Sequence, residues 1–151
     1  MTKQVNKPRR SAHQTQWAAQ FAVASELCKR GYEVALTMGN HPIVDLMVTS
    51  PKGMPFVIDV KGQYRKNPWP VSPKEPRAKL FYVLAFVPDN ESNEFFILTQ
   101  GQVNRAIQTN WKHAIARRRA KGLVPRGDNR FPVVERNVAE RYKNQWHVLP
   151  R

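Results

Sequence analysis

The sequence predicts an α/β (α+β) domain in which a central mixed sheet of about five strands is flanked by helices, in the order α-β-β-β-β-β-α-α. Between positions 32 and 99, short apolar or alternating runs are separated by turn residues, a pattern typical of strands. Segments with helical apolar spacing precede and follow these runs. The chain has 151 residues and no apolar run of about 18, so one domain over 11–151 without a membrane span is expected.

Positive charge dominates the composition. Lys and Arg number 25 against 11 for Asp and Glu, a formal net charge of +14. Such a surface attracts polyanions, among which nucleic acid is the usual partner. We predict that residues 1–10 form a basic N-terminal arm that either contacts phosphates or is merely solvated. The arm lacks the apolar segment of a signal peptide and the chain has one cysteine, so a cytoplasmic protein is expected.

The first helix is expected to begin at Ser11 or Thr15 and to end at Arg30, with Gly31 as its C-terminal stop. Its alanines favour helix, and apolar residues on most sides predict a well-buried element. Two apolar stripes are expected on this helix: Trp17, Phe21, Ala24 and Cys28 form one, and Ala19, Ala22 and Val23 form the other. Cys28 is therefore predicted to be a core residue and not a nucleophile.

Three strands are predicted next, at 32–38, 43–49 and 56–63, joined by a turn at 39–42 and a hairpin connection at 51–55. Side chains alternate along a strand, so Asp59, Lys61 and Gln63 should share one face. Charged residues inside an apolar strand require a partner, a metal or a function.

The remaining elements extend the sheet and add basic surface. Residues 64–79 are a proline-rich excursion in which Lys66, Lys74 and Trp69 could contact nucleic acid, or Trp69 could pack on the core. A strand buried on both faces is expected at 80–87 and another strand at 95–99. Helices are expected at 102–120 and about 134–145, with Trp146 packed on the core. The 102–120 helix ends in a basic patch expected to contact phosphate: Lys112, Arg117, Arg118, Arg119 and Lys121.

The aspartates of the second and third strands suggest phosphodiester hydrolysis. Magnesium held by carboxylates can activate water, offset the charge of the phosphate and stabilise the leaving oxygen. Asp45 and Asp59 lie on neighbouring strands and can converge on one ion, with the Val60 carbonyl as a third ligand. Lys61 would orient the attacking water or offset phosphate charge, and Gln63 could extend this row to the substrate. The alternative is an ion pair between Lys61 and an aspartate on an exposed sheet face.

Asp45 is followed by Asp59-Val60-Lys61, and the helix and turn of residues 21–32 precede them in the sequence. In this arrangement the chain resembles the PD-(D/E)xK nuclease superfamily, which has the restriction-endonuclease-like fold. Within it, the chain looks like small single-domain bacterial and phage proteins related to Holliday-junction resolvases and Mrr-like enzymes. The resemblance implies a nuclease-like domain over 11–151 and a magnesium-dependent endodeoxyribonuclease, with manganese as a substitute cofactor. The shape of the DNA substrate stays open, and RNA also stays open as a substrate. Cutting both strands would require two sites and therefore a homodimer.

The helix departs from the pattern of this superfamily. Relatives often carry a glutamate where this chain has Gln20, which can hydrogen-bond a metal-bound water but brings no charge. Glu26 is the alternative fourth member of the site. A one-metal enzyme and a weakened enzyme both remain open. The second hypothesis is therefore a non-catalytic nucleic-acid-binding module on the same fold, and the third is a structural protein that tolerates basic charge.

Overall fold

The computed structural model describes residues 9–38 and 44–151. Most of the predicted arm and the whole predicted turn at 39–42 therefore lie outside the described residues. The elements in chain order are α1 (Ala12–Lys29), β1 (Glu33–Leu36), β2 (Leu46–Thr49), β3 (Pro55–Gln63), β4 (Trp69–Pro70), β5 (Leu80–Phe86), β6 (Glu94–Thr99), α2 (Gln100–Ala120), β7 (Val133–Val134) and α3 (Arg136–Ala139), with 3-10 turns at Glu140–Tyr142 and Trp146–Val148.

The predicted fold class is confirmed. Five strands form one mixed sheet in the order β1-β2-β3-β5-β6, in which β3 and β5 are parallel and the other neighbours are antiparallel. The central strand β5 is buried along almost its whole length, as its continuous apolar sequence predicts. Its Val83 and Ala85 pack in one core with α1, while Tyr82, Leu84 and Phe86 pack in a second core with α2. The two long helices therefore flank opposite faces of the sheet.

Helix α1 buries the second of its two predicted apolar stripes and leaves the first outside the core. Ser11 caps its N-terminus in a reciprocal arrangement with Gln14. The predicted burial of the Trp17 stripe, including Cys28, was wrong: Phe21 is 57% exposed and stacks on Trp17, with ring centroids 5.4 Å apart, and Cys28 is exposed. The face that packs on the sheet contains Ala19 and Val23 of the second stripe, together with Thr15, Gln20 and Leu27.

The physical reason for this choice of face is the close approach of α1 to Gly62 of β3. A Cβ atom at Gly62 would lie 2.7 Å from the Ala19 Cβ and 3.0 Å from the Thr15 carbonyl oxygen. Only small helical residues fit against a backbone at that distance. The larger aromatic residues of the helix therefore lie on the other side.

Trp69 belongs to the core, which decides between its two predicted roles. Its side chain is 1% exposed, and its indole Nε1 donates to the Ala85 carbonyl at 3.2 Å. Trp69 and Pro70 also pair with Val133 and Val134 in a small second sheet that the sequence analysis did not predict. This pairing holds the start of the proline-rich excursion against the domain.

The C-terminal segment folds differently from the single helix predicted at 134–145. A four-residue helix, α3, is followed by a 3-10 turn, and Asn144 has a φ of 57°, which ends helical continuation. Lys143 forms an isolated bridge to Phe96 of β6, so the sheet edge interrupts the helix. The predicted packing of Trp146 on the core is confirmed, with the residue 8% exposed. No helix in residues 9–38 or 44–151 is both long and apolar enough to cross a membrane.

Glu94 attaches this segment to β6, and its replacement by glutamine should destabilise the fold in a pH-dependent way. Burial raises the pKa of Glu94, but hydrogen bonds and charges from Lys143 and Arg136 outweigh it and hold the pKa below 4.5. The ionised carboxylate therefore stabilises the fold above pH 4.5, and this contribution is lost as the pH falls through the lowered pKa. At pH 7, Glu94→Gln should lower the free energy of unfolding by about 1 kcal/mol. The loss is limited to this size because the ion pairs of Glu94 with Arg136 and Lys143 are partly exposed.

Urea unfolding at pH 7 and at pH 3 measures this effect. The difference between wild type and Glu94→Gln should shrink at pH 3, while Glu33→Gln, at an exposed position on β1, should change little at either pH. A difference for Glu94→Gln that is equal at both pH values would contradict an ionic role.

Candidate active site

Asp59 lies in the middle of β3 and is 2% exposed. Its neighbours Ile58 and Val60 point into the α1 core, so its own side chain points to the opposite face. Two ammonium groups contact the carboxylate: Lys61 Nζ is 2.8 Å from Oδ1 and Lys74 Nζ is 2.5 Å from Oδ2. The structure thus brings Asp59 and Lys61 together as an ion pair, whose carboxylate is buried and not on an exposed sheet face.

Asp45 immediately precedes β2 and is held by the edge of β3. Its backbone N–H donates to the Ile58 carbonyl at 3.0 Å, and its Oδ2 accepts from the Val60 N–H at 2.8 Å. Its Oδ1 accepts from Gln20 Nε2 at 3.0 Å. Burial and the charge of Asp59 raise the pKa of Asp45, against the lowering effect of the Val60 hydrogen bond. Asp45 is therefore held against the part of β3 that carries Asp59, between Ile58 and Val60.

Helix α1 offers Gln20 and Glu26 as the two predicted candidates for the fourth member of the site. Gln20, which is 8% exposed, contacts Asp45 as described, whereas Glu26 forms ion pairs with Lys29 and Arg30 at 3.3 and 2.5 Å. Of the two predicted candidates, Gln20 is thus the one that contacts the aspartate pair.

Gln16 is a site neighbour that the sequence analysis missed. Its Nε2 donates to the Val60 carbonyl at 2.7 Å, and its Oε1 accepts from the Gly62 N–H at 3.3 Å. The Val60 carbonyl, predicted as a metal ligand, therefore has one lone pair engaged and one remaining. The sequence feature that could have identified Gln16 is its four-residue spacing from Gln20, which places both side chains on one face of a helix.

Gln63 makes no contact with Asp45, Asp59 or Lys61 among the described interactions. It does follow Lys61 at the next alternate position of β3, but its Nε2 donates to the Pro68 carbonyl at 2.9 Å. This bond holds its amide against the turn that follows the strand. Lys66, in the same turn, is exposed and lies 3.8 Å from Glu91.

The predicted basic patch lies on the C-terminal half of α2. Its residues are mostly exposed, with Arg117 paired to Glu135 at 3.1 Å and Arg118 bonded to the Val124 carbonyl. In the parallel β3–β5 register, Asp59 is opposite Tyr82, which packs in the α2 core. The patch is thus on the helix that covers the sheet face to which Asp59 points. Burial and the charge of Asp59 together raise the pKa of Tyr82 to about 12, so its hydroxyl stays protonated at neutral pH.

The two carboxylates and the Val60 carbonyl supply oxygen atoms, the donor type that magnesium takes. Within residues 9–38 and 44–151, no group of three His, Cys, Asp or Glu side chains could hold a metal ion. Magnesium commonly takes only one or two carboxylates, with water and phosphate oxygens completing the set. Asp59 Oδ1 is buried and accepts no hydrogen bond of good geometry from the described residues, although Lys61 lies 2.8 Å away. This oxygen therefore has capacity for a cation.

No protein-family model matches the sequence, and no match is found among curated proteins. Among solved structures, the chain is similar to a bacterial homing endonuclease, I-Ssp6803I, with a TM-score of 0.53 and 19% sequence identity. The alignment covers 93% of this chain and 91% of that chain. At this identity the similarity concerns the fold, and the chain therefore has a nuclease-like fold.

Proposed function

We propose that this nuclease-like fold carries a magnesium-dependent endonuclease of the PD-(D/E)xK type, which hydrolyses DNA phosphodiester bonds and accepts manganese as a substitute. The observation that carries the proposal is the buried Asp59 carboxylate, which contacts Lys61 and lies between the two β3 residues that hydrogen-bond Asp45. In this proposal, residues 11–151 form one nuclease-like domain and residues 1–10 form a basic arm that adds phosphate contacts. The solved endonuclease of similar fold supports it at the level of architecture.

Each residue has a separate role in this proposal. Asp45 and Asp59 hold the cation, and the Val60 N–H and Gln20 fix the orientation of Asp45. A magnesium ion bound there would lower the pKa of water and offset the negative charge of the phosphate. Lys61, next to Asp59, orients the attacking water or offsets phosphate charge.

The α1 residues at the site favour one bound metal ion over two. Gln16 hydrogen-bonds β3 and Gln20 hydrogen-bonds Asp45, and both side chains are neutral. A second divalent ion would require further anionic ligands to offset its charge. We therefore propose a one-metal site, with the two glutamines as hydrogen-bonding groups.

Metal-dependent cleavage of supercoiled plasmid and of branched DNA tests the proposal. Wild-type protein should nick DNA with magnesium or manganese and should be inactive with EDTA. Lys61→Ala should cut about 100-fold more slowly, the effect expected for one lost group that stabilises transition-state charge. Absence of cleavage by folded wild type, or undiminished cleavage by Lys61→Ala, would refute the proposal.

DNA binding should depend steeply on salt, and the basic patch should account for part of that dependence. Each phosphate contact contributes about 0.9 to the slope of log affinity against log salt concentration. Arg119 and Lys121 are exposed at the end of α2, so replacing both by alanine should reduce the slope by about 2. Fluorescence anisotropy at several salt concentrations measures the slope.

The paired variant Lys29→Ala with Lys52→Ala is the control, because both lysines are exposed and lie on other elements. An equal reduction in both double variants would mean that the patch has no special role in binding.

A second candidate function is a non-catalytic nucleic-acid-binding module, which the Gln20 contact to Asp45 favours. An amide in this position contributes no charge to a metal site. Calorimetric titration with magnesium distinguishes the two functions. An enzyme should bind the ion saturably and lose this binding in Asp45→Asn, whereas a binding module should show salt-dependent DNA affinity without a saturable magnesium site.

A further inference from the structure

The proline-rich excursion between β3 and β5 brings a second lysine to Asp59. Lys74 Nζ lies 2.5 Å from Asp59 Oδ2, on the oxygen that Lys61 does not contact. The Lys74 side chain is 27% exposed, and its Nζ lies 6.0 Å from the centroid of the buried Tyr82 ring. The ammonium is therefore within the site and not on the open surface of the loop.

The loop that carries Lys74 is held in place by one buried side chain. Gln100, the first residue of α2, is 8% exposed. Its Nε2 donates to the carbonyls of Lys74 at 3.2 Å and Glu75 at 2.9 Å, and its Oε1 accepts from the Arg77 N–H at 2.8 Å. Three hydrogen bonds thus fix the backbone around Lys74. A surface lysine that happened to meet a carboxylate would have no such support.

The position of Lys74 conflicts with the metal site proposed above. An ammonium 2.5 Å from Oδ2 partly neutralises the same carboxylate whose Oδ1 would take the cation. Two cations on one carboxylate also repel each other in a buried setting. The backbone is fixed, but a lysine stem has four flexible carbons, so the ammonium can move while the loop stays in place. Near Asp59, the new partner for this charge would be a phosphate oxygen of bound DNA.

We propose that Lys74 is a second lysine of the active site, which neutralises Asp59 in the free protein and contacts the phosphate of the substrate once a divalent cation binds Asp59. This inference rests on the proposed nuclease function. Its consequence is an opposite effect on two ligands: Lys74 weakens binding of the cation to the free protein and strengthens binding of DNA. A lysine that only stabilised the loop would not have opposite effects on the two ligands.

Lys74→Met tests this inference, because methionine keeps an unbranched apolar stem and removes the charge. Titration calorimetry with magnesium, without DNA, should show about tenfold tighter binding in the variant, the size of one lost charge-assisted contact. Anisotropy with duplex DNA in calcium should show weaker binding. Lys52→Met, at an exposed position in the β2–β3 hairpin, is the matched control and should change neither affinity. Melting temperatures in EDTA check that both variants are folded.

Gln100→Ala provides a second variant that leaves the lysine in place. Loss of the three loop hydrogen bonds should loosen the hold of Lys74 on Asp59, so magnesium binding should also tighten, but less than in Lys74→Met. If wild type binds magnesium and Lys74→Met binds it no more tightly, the role of Lys74 is refuted while the nuclease proposal stands. If neither wild type nor Lys74→Met binds magnesium saturably, both are refuted.

Discussion

Replacing Asp59 by asparagine is expected to slow magnesium-dependent DNA cleavage by about 1000-fold, which corresponds to about 4 kcal/mol of transition-state stabilisation. Asp59 is the buried carboxylate that Lys61 and Lys74 share, and asparagine preserves its shape while removing its charge. The cation would lose one of its two proposed acidic ligands, and the two lysines would lose their common anion. Initial rates of plasmid nicking at several magnesium concentrations measure the effect.

The control for this substitution is Asp128→Asn. Asp128 is also an aspartate in an ion pair, but it is 64% exposed and its partner is Arg130. Cleavage by this variant should equal that of wild type, because an exposed pair contributes little. A rate for Asp59→Asn within tenfold of wild type would show that Asp59 does not hold the metal.

Gly62→Ala is expected to lower the free energy of unfolding by about 3 kcal/mol, the upper part of the range for overpacking. The added Cβ would lie 2.7 Å from the Ala19 Cβ and 3.0 Å from the Thr15 carbonyl oxygen. The second contact is with helix backbone, so the strain can be relieved only by moving α1 away from β3. Because α1 also carries Gln16 and Gln20, the same movement should reduce cleavage.

Urea denaturation followed by tryptophan fluorescence measures the loss of stability. Gly127→Ala is the matched control, because a Cβ at Gly127 would meet no atom within 4 Å and this glycine has no positive φ. Its unfolding free energy should change by less than about 0.5 kcal/mol. Equal stability of Gly62→Ala and wild type would show that α1 does not depend on close contact with β3.

The sequence by itself determined the fold class and the central pair of the candidate site. Strand periodicity fixes which side chains share a face, so Asp59 and Lys61 could be placed together without a structure. The continuous apolar run of β5 likewise indicated a strand buried on both faces. These inferences succeed because they depend on repeats within a few residues, which the backbone geometry of a strand imposes wherever the strand lies.

Only the tertiary structure decided which surface each helix and loop presents to the site. Helix α1 is apolar on several sides, and the close approach to Gly62 selected the small-residue face that carries Gln20 and left Phe21 exposed. Lys74 lies 15 residues after Asp59 in an irregular loop, which Gln100 holds by donating two hydrogen bonds and accepting one. Such contacts follow from packing between elements distant in sequence. Local periodicity carries no information about them.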